Sequence, residues 1–208
     1  SPEGFPNGLA VTPEGLWIGE QKLAGEQAKS YGLPEPASLE EAAWLVDWNG
    51  KLLKTVKTPS RNMSGMAVGD GYVWMIANAP PQGVFQVDMN SKLISHRQIP
   101  FNIPGQDGGG SHGGQWHDGK LWISSLRLRA NILVDPKTWN VEYMIPFYQS
   151  APDWVRPHGI TIHDGSIWQV MGNNSKYSEC REWNKRVMPR LIADKPDYVF
   201  TTSTRPWN

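Results

Sequence analysis

A glycine followed nine residues later by a tryptophan recurs four times in this chain, in "NGLAVTPEGLW" (7–17), "SGMAVGDGYVW" (64–74), "SHGGQWHDGKLW" (111–122) and "HGITIHDGSIW" (158–168). The four glycines, Gly8, Gly65, Gly113 and Gly159, lie 57, 48 and 46 residues apart. Each copy reads as a short apolar-rich strand, a tight turn carrying Gly15, Gly71, Gly119 or Gly165, and a second strand that opens with the tryptophan. Three copies continue into a second signature, a Val-Asp pair at Asp47, Asp88 or Asp135, then a polar turn and an outer strand that stops at Pro59, Pro100 or Pro146. Four strands per repeat of this length predict an all-β propeller of four-stranded antiparallel blades, because each unit can bury its apolar faces only against the next. Nothing in these segments follows the 3.6-residue period of a helical solenoid.

The repeat predicts one domain over residues 1–208, with blades at about 6–60, 61–104, 108–150 and 154–208, forming either a four-bladed ring or part of a larger one. Two segments depart from it. The first blade carries an insertion at residues 21–42, where Ser38 and Glu41 have capping-box spacing but Pro34 and Pro36 favour a loop. The chain after Gly172 lacks the Val-Asp signature. Its Trp183, Val187, Leu191, Tyr198 and Phe200 must be buried in an irregular fourth blade or against a partner chain, which would make the protein a homo-oligomer.

Twenty Lys and Arg balance twenty Asp and Glu, so no overall field recruits nucleic acid or a membrane surface. No apolar run is long enough for a membrane span. The lone Cys180 excludes an internal disulfide and has no feature that marks it as a nucleophile. The start of the sequence, with neither Met nor signal peptide, fits a processed exported chain or a trimmed one, and the expectation is a periplasmic or secreted location over a cytoplasmic one.

In a propeller the chain enters first strands and leaves second strands on one face. The residues just before the repeat glycines, Asn7, Ser64, His112 and His158, therefore converge at the channel mouth. Glu20, Asn78, Ser125 and Asn173 leave second strands on the same face, and Arg61, Asp107, Arg127 and Arg156 come from connecting loops. This set suits a small polar molecule, or a divalent metal held by two imidazoles. Asn7 and Ser64 read first as hydrogen-bonding partners of a neighbouring blade, whereas His112 and His158 are equally readable as structural or functional. His117, His163 and His96 read as turn or surface residues. The glycine-rich "GQDGGGSHGG" (105–114) lacks the Gly-Lys-Ser/Thr ending of a phosphate loop and leads into a strand.

The run from Ser111 through Pro146 and on to "RPHGITIHDGSIW" resembles a broad group of bacterial propellers that includes virginiamycin B lyase-like, glutamine cyclotransferase-like and gluconolactonase-like (NHL) proteins. Enzymes of that group hold catalytic or metal-binding residues at the blade entries, which implies Asn7, His112 and His158, with Ser64 fourth. Gluconolactonase-like members hold a divalent metal with carboxylates and asparagines. The matching positions here offer no acid, so Glu20 would have to supply it. Two functions follow as expectations. One is a metal-assisted lyase or hydrolase with His158 or His112 as general base, Arg156 or the metal stabilising the oxyanion, and Ser64, Asn78, Arg127 and Asn173 binding substrate. The other is a propeller that binds a ligand or protein and breaks no bond.

Overall fold

The computed structural model describes residues 5–30, 32–102, 110–146, 156–163, 165–172 and 198–202. Three four-stranded antiparallel sheets follow one another along the chain. The first holds β1 (Phe5–Thr12), β2 (Gly15–Gln21), β3 (Glu41–Val46) and β4 (Leu52–Thr58). The second holds β5 (Met63–Gly69), β6 (Tyr72–Ala77), β7 (Gly83–Asp88) and β8 (Leu93–Arg97). The third holds β9 (Ser111–His117), β10 (Lys120–Ser125), β11 (Ala130–Val134) and β12 (Val141–Pro146). A fourth sheet has three described strands, β13 (Arg156–His163), β14 (Ser166–Gly172) and β15 (Tyr198–Thr202). First strands neighbour one another, β1 against β5, β5 against β9 and β9 against β13, which is the blade order of a propeller.

Local chemistry sets the two recurring turns. Asp70 and Gly71 both have positive φ (56° and 77°), as do Asp118 and Gly119 (48° and 73°). Two such residues between Gly69 and Tyr72, or between His117 and Lys120, make the left-handed turn whose twist matches a hairpin. The aspartate of the second signature ties its own turn. Oδ1 of Asp47 accepts from the Asn49 and Lys51 amides, Oδ1 of Asp88 from Asn90 and Lys92, and Oδ1 of Asp135 from Lys137 and Thr138.

The repeat tryptophans Trp17, Trp74 and Trp122 are buried. One apolar cluster joins the first two blades through Trp17, Val56, Met63, Met66, Met75 and Phe85. A second joins the second and third blades through Trp74, Ile76, Leu121, Ile123 and Ile132. There the Trp74 ring stacks on Trp116, centroids 5.7 Å apart. The repeat glycines have a steric cause. A Cβ on Gly8 would stand 3.1 Å from the Met66 amide nitrogen, one on Gly65 would stand 2.7 Å from the His112 carbonyl, and one on Gly113 would strike the His158 carbonyl. Adjacent first strands approach closely only because these side chains are missing.

The fourth blade departs from the antiparallel pattern of the other three. β15 pairs with β14 in parallel, Ile167 opposite Tyr198 and Met171 opposite Thr202. A parallel partner needs a crossover in place of a hairpin, and the chain between the two strands, with Trp183, Val187 and Leu191, lies outside the described residues. In the insertion, the helix α1 (Gly25–Ser30) lies before Pro34 and Pro36, and residues 33–40 form the loop that the prolines favour. Ser38 Oγ accepts from the Glu40 amide, and Glu41 opens β3. Glu35 accepts from the Gly25 amide, and Arg61 donates to the Leu39 carbonyl, which ties the insertion to the connection between the first two blades.

Candidate functional site

Every first strand breaks register at its polar residue. Pro6 pairs with Glu20 and Gly8 with Gly19, leaving Asn7 as an extra residue, and Ser64 lies in the same way between Met63 and Gly65. His112 lies between Ser111, opposite Ser125, and Gly113, opposite Ser124. His158 and Gly159 fall in the shift between Pro157 and Ile160. One β-bulge per blade therefore carries Asn7, Ser64, His112 and His158. A bulge twists its strand and re-aims one side chain, so the repeat presents a polar residue at this point of each blade. A register break of this kind leaves no composition signal of its own.

What the four do there differs. Asn7 Nδ2 donates to Gln21 Oε1 (2.8 Å) and to the Met63 carbonyl (3.2 Å), bridging the first two blades. Among the described residues, buried Ser64 reaches only the Asn62 carbonyl, at 3.5 Å. His112 and His158 stack across the junction of the third and fourth blades, centroids 4.3 Å apart and planes 3° from parallel. Asn78, leaving β6, brings its Nδ2 to 2.9 Å from His112 Nε2. With the amide assigned as the donor, the His112 proton is placed on Nδ1.

Burial of His112, then the charge of His158 beside it, pushes the His112 imidazole down to about 3. Burial also lowers His158 below the ordinary histidine value. Desolvation disfavours the charged ring, and two stacked imidazoles resist a shared positive charge, so both are neutral at pH 7.

Glu20 lies at the end of β2. It is buried and accepts from Lys22 Nζ (2.7 Å) and Trp44 Nε1 (3.3 Å). Arg156 opens β13, Arg127 lies exposed in the connection from β10 to β11, and Ser125 Oγ accepts from the Leu128 amide. Asn173 and Asp107 lie outside the described residues.

The expected metal set does not fit this geometry. A metal sits about 2.0–2.1 Å from each imidazole nitrogen and in the plane of each ring. Parallel rings stacked at 4.3 Å cannot both hold one ion in plane, and Asn78 already engages one of the nitrogens. Among the described residues, no three His, Cys, Asp or Glu side chains gather as a metal-binding group.

Glu41, read from the sequence only for its capping-box spacing, is the most enclosed carboxylate among the described residues. It accepts from Ser60 Oγ (2.8 Å), from the Met63 amide through both oxygens (3.1 and 3.2 Å) and from the Lys22 amide (3.4 Å). Burial outweighs these bonds and raises its pKa. Glu41 has no counterpart in the other blades, so the repeat could not point to it.

No family model matches the chain, and no curated protein does. Solved structures do. Glutaminyl cyclase of Myxococcus xanthus superposes with a TM-score of 0.54 at 14% identity, over 79% of this chain and 67% of that one. A protein of unknown function from Bacteroides caccae gives 0.51 at 9%, over 78% and 69%. The WD40 repeats of RRP9 give 0.50 at 11%, over 80% of this chain and 48% of theirs. At these identities the likeness is one of fold, and by that fold the chain is a β-propeller.

Proposed function

We propose that the bulge line of this propeller binds a small polar molecule beside His158 and His112, and that His158 takes a proton from it or from a water attacking it. The observation that carries the reading is the parallel, part-buried stack of the two imidazoles. Neutral rings each keep one lone pair. His112 spends its own on Asn78 and is the orienting member, with Nδ1–H left to donate. No hydrogen bond to the His158 ring is seen among the described residues, so its lone pair is available to a substrate. Hydrolysis or elimination on an ester, lactone or similar carbonyl compound is the matching chemistry. Arg156, two residues before His158, is the residue we assign to stabilise negative charge on such a substrate. Propellers of this fold include a glutaminyl cyclase, so the scaffold carries enzymes as well as WD40 repeats.

A second reading, binding without bond breaking, is favoured by one observation. Burial lowers the basicity of His158, which weakens it as a proton acceptor. Hydrolysis of p-nitrophenyl acetate and δ-valerolactone separates the readings, with chemical-shift mapping of the histidine rings run in parallel. Turnover that is lost in His158→Gln supports catalysis. Ring shifts without turnover support the binding reading, and neither signal with any probe removes both.

A further inference from the structure

The repeat makes each blade position comparable with its counterparts, and two faces of the chain break the comparison. Leu9 of β1 is 62% exposed, whereas Met66 and Ile160, its counterparts in the second and fourth blades, are 1% and 8% exposed. Val11, on the same side of β1, is 69% exposed. At the other end, Trp168 is 40% exposed against 3%, 1% and 8% for Trp17, Trp74 and Trp122. Val170 is open at 41%, where Ile76 and Ser124 are sealed. Gly159 fits this pattern. Its three counterparts abut the backbone of the next blade, but a Cβ at Gly159 would meet only Val170 of its own blade, in ordinary contact at 3.8 Å. Its φ is not among the positive values, so neither conformation nor a neighbour among the described residues calls for a glycine.

These two surfaces are the halves of one junction. Leu9 and Val11 belong to the side of a blade that covers its predecessor, and Gly159, Trp168 and Val170 to the side that receives its successor. We infer that a second copy of this chain docks head to tail, the β1 face of one copy on the β13–β14 face of the other. The occupant follows from the repeat: the surface that covers a glycine, tryptophan and aliphatic set of this kind is a blade's first strand, and among the described residues β1 is the first strand with that side uncovered. The two surfaces differ, so the contact is heterologous. It closes into a dimer when the rotation permits and otherwise continues into longer arrays. Asn7 holds in β1 the place of His158 in β13, so the docking would also bring a second copy's Asn7 next in line after His158.

Sedimentation velocity on the full chain from about 1 to 100 µM tests this, since association is set by protomer concentration. The expected mass is two chains or more. Leu9→Asp and Val170→Asp should each return it to one chain, and mixing the two variants should restore a dimer through the one junction left intact. A two-fold self-complementary contact would not be restored by mixing. Gly159→Val should abolish assembly with the circular dichroism of a single chain unchanged, because its Cβ meets only Val170, in ordinary contact. Gly113→Ala, which would strike the His158 carbonyl, is the control that should damage the fold itself. A wild-type chain of single mass throughout the range overturns the inference, as does an assembly indifferent to all three surface variants.

Discussion

At the junction of the first two blades, the Glu41 carboxylate is wholly enclosed and takes hydrogen bonds from Ser60, Met63 and Lys22. At the junction of the third and fourth, His112 and His158 lie face to face, with a single side-chain hydrogen bond, from Asn78, described for the pair. Both clusters sit at the end of their blades where second strands leave and first strands begin. Both bury groups that could be charged. Glu41 is surrounded by donors and can be read as a tie between the insertion and β5, because its oxygens face groups that would otherwise lack a partner. The imidazoles retain bonding capacity in a desolvated place, the condition under which a side chain can act on something other than its own protein.

The largest consequence is for stability. Glu41→Ala strands the Met63 amide and the Ser60 hydroxyl inside the protein. Unmade buried hydrogen bonds cost about 1–3 kcal/mol each, so the loss should reach about 3–5 kcal/mol in urea unfolding. Glu41→Gln, which keeps one acceptor oxygen, should lose less than half of that. A cost below about 1 kcal/mol for Glu41→Ala would remove the distinction between the two clusters.

The pH dependence of stability should divide them in sign. The imidazoles have folded pKa values below the unfolded 6.5, so the unfolded chain takes up protons that the native one refuses. Their contribution is complete above pH 6.5 and is lost as the pH falls below it, for His112 down to about 3. Between pH 7 and pH 5 the loss should be roughly 1–2 kcal/mol, and a chain carrying both His112→Gln and His158→Gln should show a flatter slope there. Glu41 runs the other way. Its folded pKa is raised, so its contribution is complete below the unfolded value of 4.5 and is lost as the pH rises through the folded one. Unfolding midpoints measured from pH 4 to 8 in wild type, the double histidine variant and Glu41→Gln would show both slopes.

The sequence made one of these clusters visible and hid the other, for a physical reason. Hairpins at Asp70-Gly71 and Asp118-Gly119 are written in residues adjacent along the chain, so they can be read without knowing the fold. The His112 and His158 pairing is long-range, but the repeat converts it into a local observation: equivalent positions in adjacent blades must be neighbours. Glu41 and Lys22 belong to an insertion that occurs once, and no periodicity predicts where a unique loop sends its side chains. The same limit explains Asn7 and Glu20. Their positions were legible, but their partners Gln21, Met63, Lys22 and Trp44 were not, because hydrogen bonds between blades depend on side chains that do not repeat. The parallel approach of β15 was hidden too, since no turn residue marks a crossover.

The smallest effect tests the imidazole stack most directly. If the two rings are coupled as their 4.3 Å separation requires, the positive charge on one must oppose protonation of the other. Replacing His158 with Gln removes that repulsion and leaves the burial of His112 in place. The His112 pKa should then rise from about 3 while staying below 6.5, because desolvation, the larger cause, persists. Asn78→Ala should also raise it, since a donor bonded to Nε2 stabilises the neutral ring and its loss frees that lone pair for a proton. Nitrogen-15 titration of the histidine side chains measures both shifts, and in wild type the Nδ1–H tautomer of His112 should be visible before any acid is added. A His112 pKa that does not move in His158→Gln would mean that the rings sit together without sensing each other's charge, and the imidazole cluster would then differ from the Glu41 tie only in having fewer bonds.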